Sequence, residues 1–171
     1  FFGGSFDPVH IGHLLLAENC LEQGDLDQVW FVPTAIAPHK QNQLPTELSH
    51  RLAMLQLAIG GHSGFEVSTL EAERGGISYT VDSLAEIHQH RPHDQLFFLM
   101  GADSLAEFPT WKDPAEICRL ALPLVVRRAG LPEPNLHSLE QIVTPNRLAE
   151  IQKHQIEFPA VDISSTEIRH R

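Results

Sequence analysis

The first fourteen residues constrain this chain more than any other stretch: Phe1-Phe2-Gly3-Gly4-Ser5-Phe6-Asp7-Pro8-Val9-His10-Ile11-Gly12-His13-Leu14. They read as the end of a buried strand, a glycine turn and the opening of a helix. Gly3 and Gly4 let the backbone turn sharply and leave no side chain between it and an incoming group. Pro8 stiffens the loop. His10 and His13 are three apart, so they share one face of a helix at its first turn. That turn also offers unpaired backbone N–H groups and the positive end of the helix dipole. A glycine turn, a helix N-terminus and two imidazoles together suit a phosphate group.

The remaining chain repeats the strand-then-helix theme. A helix is expected from about His10 to Gln23, stopped by Gly24. Val29-Trp30-Phe31-Val32 is wholly apolar, as a central parallel strand is, and Pro33 ends it. Thr34 to Pro45 reads as a polar loop, and Thr46 as the cap of a helix reaching Ile59, with Arg51 as a surface charge. Phe65 to Leu70 reads as a strand and Glu71 to Gly76 as a charged turn. Ile77-Ser78-Tyr79-Thr80 opens a helix over Val81 to His90. Gln95 to Met100 is the most hydrophobic strand and runs straight into Gly101-Ala102-Asp103-Ser104. Asp113-Pro114 starts a short helix. Leu122 to Val126 is a strand, residues 138–153 are helical with a break near Pro145, and Ile156 to Val161 is the last strand. This alternation predicts a Rossmann-like, doubly wound parallel α/β sheet with helices on both faces, built as one domain over residues 1–171. In such sheets ligands bind beyond the C-terminal ends of the strands.

Charge narrows the partners. The formal net charge is −10, which argues against a nucleic-acid backbone as the main partner. An acidic chain that binds phosphates must gather its few cations in one place. There is no apolar run long enough to span a bilayer, and the two cysteines, Cys20 and Cys118, fit buried thiols in a reducing cytosol. His88, His90 and His93 lie near one helix end, but no carboxylate or cysteine completes a metal site, so no protein metal ligand is expected. Phe1-Phe2 and His170-Arg171 read as the interior of elements, so both ends look incomplete.

The run G-G-S-F-D-P-V-H-I-G-H resembles the H-x-G-H nucleotidyltransferase superfamily, of the α/β phosphodiesterase type, and within it the nicotinate-mononucleotide adenylyltransferases. The likeness continues in order along nearly the whole chain. Ala37-Pro38-His39-Lys40 resembles the P-P-H-[KR] element, Ser78-Tyr79-Thr80 the S-Y-T element, Gly101-Ala102-Asp103-Ser104 the G-x-D-S element, and Ile163-Ser164-Ser165-Thr166-Glu167-Ile168-Arg169 the I-S-[SA]-T-x-[IV]-R signature. At Arg128-Ala129-Gly130 the chain departs from the Arg-Pro-Gly found in many members, so no role is carried over to Arg127 or Arg128.

The resemblance implies a nucleotidyltransferase of NAD biosynthesis, transferring AMP from ATP to nicotinate mononucleotide. His10, His13, Lys40 and Arg169 would carry the catalysis. ATP would lie against Gly3, Gly4, Ser5, Phe6, His10, Gly12, His13, Gly101, Asp103, Ile163, Ser164, Ser165 and Arg169. The pyridine nucleotide would meet Phe6, His39, Lys40, Ser78, Tyr79, Thr80 and Trp111, the last by stacking its indole. Magnesium (Mg2+) would arrive with ATP. Plainer readings exist for several of these residues: Ser78 or Thr80 as a helix cap, Asp103 or Ser104 as another, Trp111 as a core anchor, and Ser164 with Glu167 as a capping box. Other acceptors, such as nicotinamide mononucleotide, glycerol phosphate or phosphopantetheine, keep the same fold. A non-catalytic nucleotide sensor would need decayed histidines, and an aminoacyl-tRNA synthetase fragment would need a K-M-S-K-S run in place of I-S-S-T.

Overall fold

The computed structural model describes residues 1–38, 45–130 and 132–171. Among these the elements run β1 (Phe2–Gly4), α1 (Ile11–Gly24), β2 (Val29–Pro33), α2 (Leu48–Ile59), β3 (Phe65–Val67), α3 (Leu70–Arg74), α4 (Thr80–His90), β4 (Phe97–Met100), α5 (Ala102–Glu107), α6 (Pro114–Leu120), β5 (Leu122–Arg128), α7 (His137–Glu140), α8 (Pro145–Lys153), β6 (Ile156–Phe158) and α9 (Ser165–His170). The expected alternation is present, and the strands pair in parallel. They form two three-stranded sheets, in the orders β1-β2-β3 and β4-β5-β6. The chain divides into two compact units, Phe1–Tyr79 with Val161–Arg171, and Thr80–Ala160.

In the first unit β2 is the middle strand, pairing Phe31 with Phe2 on one side and Val29 with Phe65 on the other. That position explains its composition: Val29, Phe31 and Val32 are all buried, and a strand paired on both edges has only side chains left to contribute. Helix α1 buries Gly12, Ala17 and Cys20, and α2 buries Arg51, Leu55 and Ile59. In the second unit β5 is the middle strand, with Leu122 to Val126 buried. Helix α4 supplies Val81, Leu84 and Ile87 to that core, and β4 supplies Phe98 and Met100. The break near Pro145 is a helix start: the Thr144 hydroxyl accepts the Arg147 N–H at 3.3 Å, and Pro145 occupies the first helical position.

Several boundaries differ from the sequence reading. Helix α1 includes Gly24, and the left-handed cap falls on Asp25 (φ 49°), a residue type that tolerates this conformation. Glu47, and not Thr46, precedes α2, because Thr46 is committed elsewhere. The charged turn after β3 is the helix α3, whose Leu-Glu-Ala-Glu-Arg sequence is rich in helix formers and puts acids in the first turn. The strand before it stops at Val67, β5 extends through Arg128, and β6 stops at Phe158. Asp113 occupies the cap position of α6, but its side chain makes no capping bond. Cys20 and Cys118 are buried and free, and burial pushes both thiols up to about 12.

Candidate active site

The site starts where β1 gives way to α1. The chain leaves Gly4, passes through Phe6 in the left-handed region (φ 45°) and reaches a cis Asp7–Pro8 peptide. A Cβ on Gly4 would sit 3.1 Å from the Phe6 ring, which would have to give by a few tenths of an ångström. Phe6 packs against Phe2, Phe31 and His13, with ring centroids 5.2, 5.6 and 5.1 Å away. It is only 2% exposed. Its ring therefore packs into the core of the first unit.

Helix α9 docks on this same turn. The Ser165 hydroxyl donates to the Pro8 carbonyl at 2.9 Å, and the Arg169 guanidinium donates to the Asp7 carbonyl. Its other nitrogen reaches the Thr166 hydroxyl at 3.3 Å. Ile163 lies over α1: a Cβ on Gly12 would meet its side chain at 3.2 Å. Ser164 caps the helix by accepting the Glu167 N–H at 3.1 Å, which accounts for its hydroxyl. The far end of the sequence thus comes to rest on the first turn, and brings Ile163, Ser165 and Arg169 against the segment that carries His10, Gly12 and His13.

The two imidazoles stack, with centroids 3.8 Å apart and planes 27° from parallel. The backbone N–H of His10 donates to Nδ1 of His13 at 3.2 Å. A ring nitrogen that accepts carries no proton, so neutral His13 holds its proton on Nε2 and presents a donor there. Burial, with the neighbouring His10 adding to it, pushes the His13 pKa down to about 3, and burial lowers His10 as well. Both shifts favour an uncharged pair at neutral pH. His10 Nδ1 is buried with no partner among the described residues. No acid occupies the first turn of α1, so nothing on the helix cancels its dipole.

Asp7 and Arg51 complete the framework, and the sequence reading assigned neither a role here. Arg51 is 1% exposed, which corrects its reading as a surface charge. Its guanidinium donates to the carbonyls of Thr46 (2.8 Å), Ser5 (2.8 Å) and Thr34 (3.0 Å). Asp7 accepts the Thr46 N–H at 3.1 Å. Burial alone would raise the Asp7 carboxyl, but the Thr46 side chain and N–H, Arg169 and Arg51 outweigh it and hold it below the usual range. Thr46 is spent on these contacts, which is why it does not cap α2. The signal for Arg51 was available: Arg51, Leu55 and Ile59 recur every four residues along one helical stripe.

Known proteins resemble this chain in sequence and in fold. The family model described as cytidylyltransferase-like matches residues 1–171. The chain is 41% identical over 170 residues to a nicotinate-nucleotide adenylyltransferase of Bacillus subtilis, covering 99% of this chain and 82% of that protein. It is 37% identical over 169 residues to a probable nicotinate-nucleotide adenylyltransferase of Rhodopirellula baltica, covering 99% of this chain and 79% of the other. The chain belongs to the cytidylyltransferase-like family. Among solved structures, a Plasmodium falciparum nicotinic acid mononucleotide adenylyltransferase complexed with NaAD superposes with a TM-score of 0.70 at 18% identity, over 99% of this chain and 80% of that one. That likeness establishes a shared fold.

The other family elements fall as follows. Ser78 is buried, and its hydroxyl accepts the Ala35 N–H at 3.1 Å while its own N–H donates to Ile36. It therefore stitches the S-Y-T element to the loop leaving β2 and does not act as a free helix cap. Tyr79 is half-buried beside it, and Thr80 is the first residue of α4. In the second unit Gly101 caps α5 in extended geometry, and a Cβ there would meet nothing within 4 Å. Asp103 is exposed in the first turn of α5 and is not its cap, which leaves the carboxylate accessible. Trp111 is half-buried, packed on Phe108 at 5.5 Å and Phe98 at 6.1 Å, with its indole N–H lacking a partner among the described residues. It anchors to the core and keeps part of its area exposed. Arg127 is accounted for by Glu133 (2.7 Å) and Glu157 (2.8 Å). His39 and Lys40 lie outside the described residues. Among the described residues no three or more His, Cys, Asp or Glu stand together as a metal site, and no helix is long and apolar enough to cross a membrane.

Proposed function

We propose that this chain transfers AMP from ATP to nicotinate mononucleotide, giving deamido-NAD (nicotinate adenine dinucleotide) and pyrophosphate in NAD biosynthesis. The observation that carries the reading is the meeting of α1 and α9 on the Asp7-Pro8 turn, with Arg169 donating to Asp7 and His10 and His13 stacked at the start of α1. Support comes from relatives about 40% identical that are named for this reaction. The 5′-phosphate of the acceptor is already ionised near neutral pH, so it attacks the α-phosphorus in line without a general base or a protein nucleophile. The protein's work is then positioning and charge neutralisation. His13 donates through Nε2–H to the reacting phosphates, His10 lies beside it, and Arg169 and Lys40 supply positive charge. The backbone of Gly3 to Phe6 and the start of α1 cradle the triphosphate, and Ile163 and Ser165 hold α9 in place. Gly101 and Asp103 serve the ATP ribose; Trp111 stacks on the pyridine, and His39, Ser78, Tyr79 and Thr80 belong to the same nucleotide. Magnesium enters as the ATP complex, held mostly by phosphates and water, and no protein ligand is assigned to it. We place the enzyme in the cytoplasm, where buried free thiols persist, and treat residues 1–171 as one nucleotidyltransferase domain.

The test is pyrophosphate release from ATP and magnesium with nicotinate and nicotinamide mononucleotides side by side. Turnover with the nicotinate form, at least tenfold above the amide in kcat/KM, is the expected result. No pyrophosphate with either acceptor, or turnover with phosphopantetheine alone, refutes the reading.

A further inference from the structure

We propose that Arg51 is a positioning residue for the transfer site: its buried guanidinium holds the Ser5–Asp7 backbone, and so the entry to α1, in the register that keeps His13 as an Nε2–H donor. The proposal rests on the adenylyl-transfer reading above.

Burying a guanidinium is expensive, and packing does not require it here. Arg51 occupies the stripe of α2 shared with Leu55 and Ile59, where an aliphatic residue would bury the helix as well. What it adds is directional. Its acceptors are the carbonyls of Ser5, Thr34 and Thr46, and none lies inside a helix or strand. Ser5 follows β1, Thr34 follows β2, and Thr46 precedes α2. One side chain thus ties the chain as it leaves two adjacent parallel strands, at the edge where such sheets bind ligands. Thr34 and Thr46 also bracket residues 35–45, whose sequence holds the Pro-His-Lys element. Asp7 balances the charge and extends the tie: its carboxylate takes the Thr46 N–H, and its carbonyl takes Arg169. Three carbonyls on three loops suit a planar fork of donors and not the point charge of a lysine.

The experiment uses the full chain carrying Arg51→Met or Arg51→Lys. Two readouts are taken well below each variant's unfolding midpoint: kcat and KM separately, and nitrogen NMR of labelled histidine to show which His13 ring nitrogen holds the proton. Arg51 has no hydrogen bond to a histidine, so a role confined to stability leaves both readouts unchanged in molecules that stay folded. The proposal expects kcat to fall about 100-fold in Arg51→Met and about tenfold in Arg51→Lys, with KM for ATP within about threefold, and His13 to lose its single tautomer. A folded variant of either kind with wild-type kcat and wild-type His13 signals overturns it. If Arg51→Met does not fold, Arg51→Lys decides by the same readouts. If the wild-type chain releases no pyrophosphate, the functional reading falls, and the His13 tautomer comparison still decides what Arg51 holds.

Discussion

Gly12→Ala separates catalytic geometry from stability at one position. A Cβ at Gly12 would lie 3.0 Å from Nδ1 and 3.1 Å from Cε1 of His10, and 3.2 Å from Cγ2 of Ile163. Ordinary carbon contacts are about 3.5–4.0 Å, so both neighbours must yield by a few tenths of an ångström. Overpacking of this kind costs about 1–3 kcal/mol, and alanine returns at most about 1 kcal/mol of helix propensity. The net loss is about 0–3 kcal/mol, a fall of less than about 12 °C in Tm for a chain of this size. Catalysis should suffer more. A misplacement of about 1 Å can cost roughly 100-fold, so a shift of His10 by a few tenths of an ångström should lower kcat about 3- to 10-fold. The assay is steady-state pyrophosphate release beside thermal unfolding. Adding Ile163→Ala opens one side of the clash and should return part of the activity, because the new methyl can then move away from His10. Gly12→Ala with kcat within twofold of wild type would refute the reasoning, since it would mean that His10 tolerates displacement.

Three further predictions use different parts of the site. Trp111→Ala should raise KM for the pyridine nucleotide about tenfold and leave KM for ATP unchanged, measured well below a Tm that the lost packing on Phe108 will lower; equal effects on both substrates would remove the stacking role. Gly101→Ala has open space around its Cβ, so its Tm should move by less than about 2 °C while KM for ATP rises, read by calorimetry and initial rates. His13→Gln should cut kcat about 100- to 1,000-fold and also change acid stability. His13 is held at about 3 in the folded chain against an ordinary 6.5, so as pH falls below 6.5 the unfolded chain takes up its proton first. Wild-type stability should therefore drop through that window by at most about 1.4 kcal/mol per pH unit, and thermal scans between pH 7 and pH 5 should show His13→Gln losing less.

Legibility followed the local character of each signal. The alternation of apolar runs with glycine-started helices gave the parallel α/β class, because strand and helix periods are read over a few residues. The site histidines were legible for the same reason: three-residue spacing at a helix start is a local fact. The burial of Phe6 was not legible, because its place in the motif says nothing of its backbone: φ there is left-handed and the ring packs in the core. Thr46 misled because a threonine before a helix is the usual cap, and only the fold reveals that Asp7 claims it first. Arg51 was the hardest. A charge inside an apolar stripe is discounted as a surface residue until three carbonyls from separate loops are seen around it.

The charge balance explains why that buried pair stands where it does. A chain with a net charge of −10 repels a triphosphate at long range, so affinity must be built locally from groups that water cannot screen. Asp7 lies in the turn that the proposed reaction sets against phosphates, and left uncompensated it would oppose them. The charges of Arg169 and Arg51 act on it and the Thr46 N–H donates to its carboxylate, so the acid does not stand uncompensated. The helix end itself carries no acid in its first turn. Exchanging Asp7 for asparagine keeps the shape and removes the charge, and then Arg51 becomes an unbalanced buried cation. Phosphate binding would gain from the added positive field, while folding would lose the partner that makes Arg51 tolerable. The expected outcome is therefore tighter phosphate binding with a lower Tm, read by phosphate titration and thermal unfolding of Asp7→Asn; an unchanged Tm would show that Arg51 does not need the carboxylate.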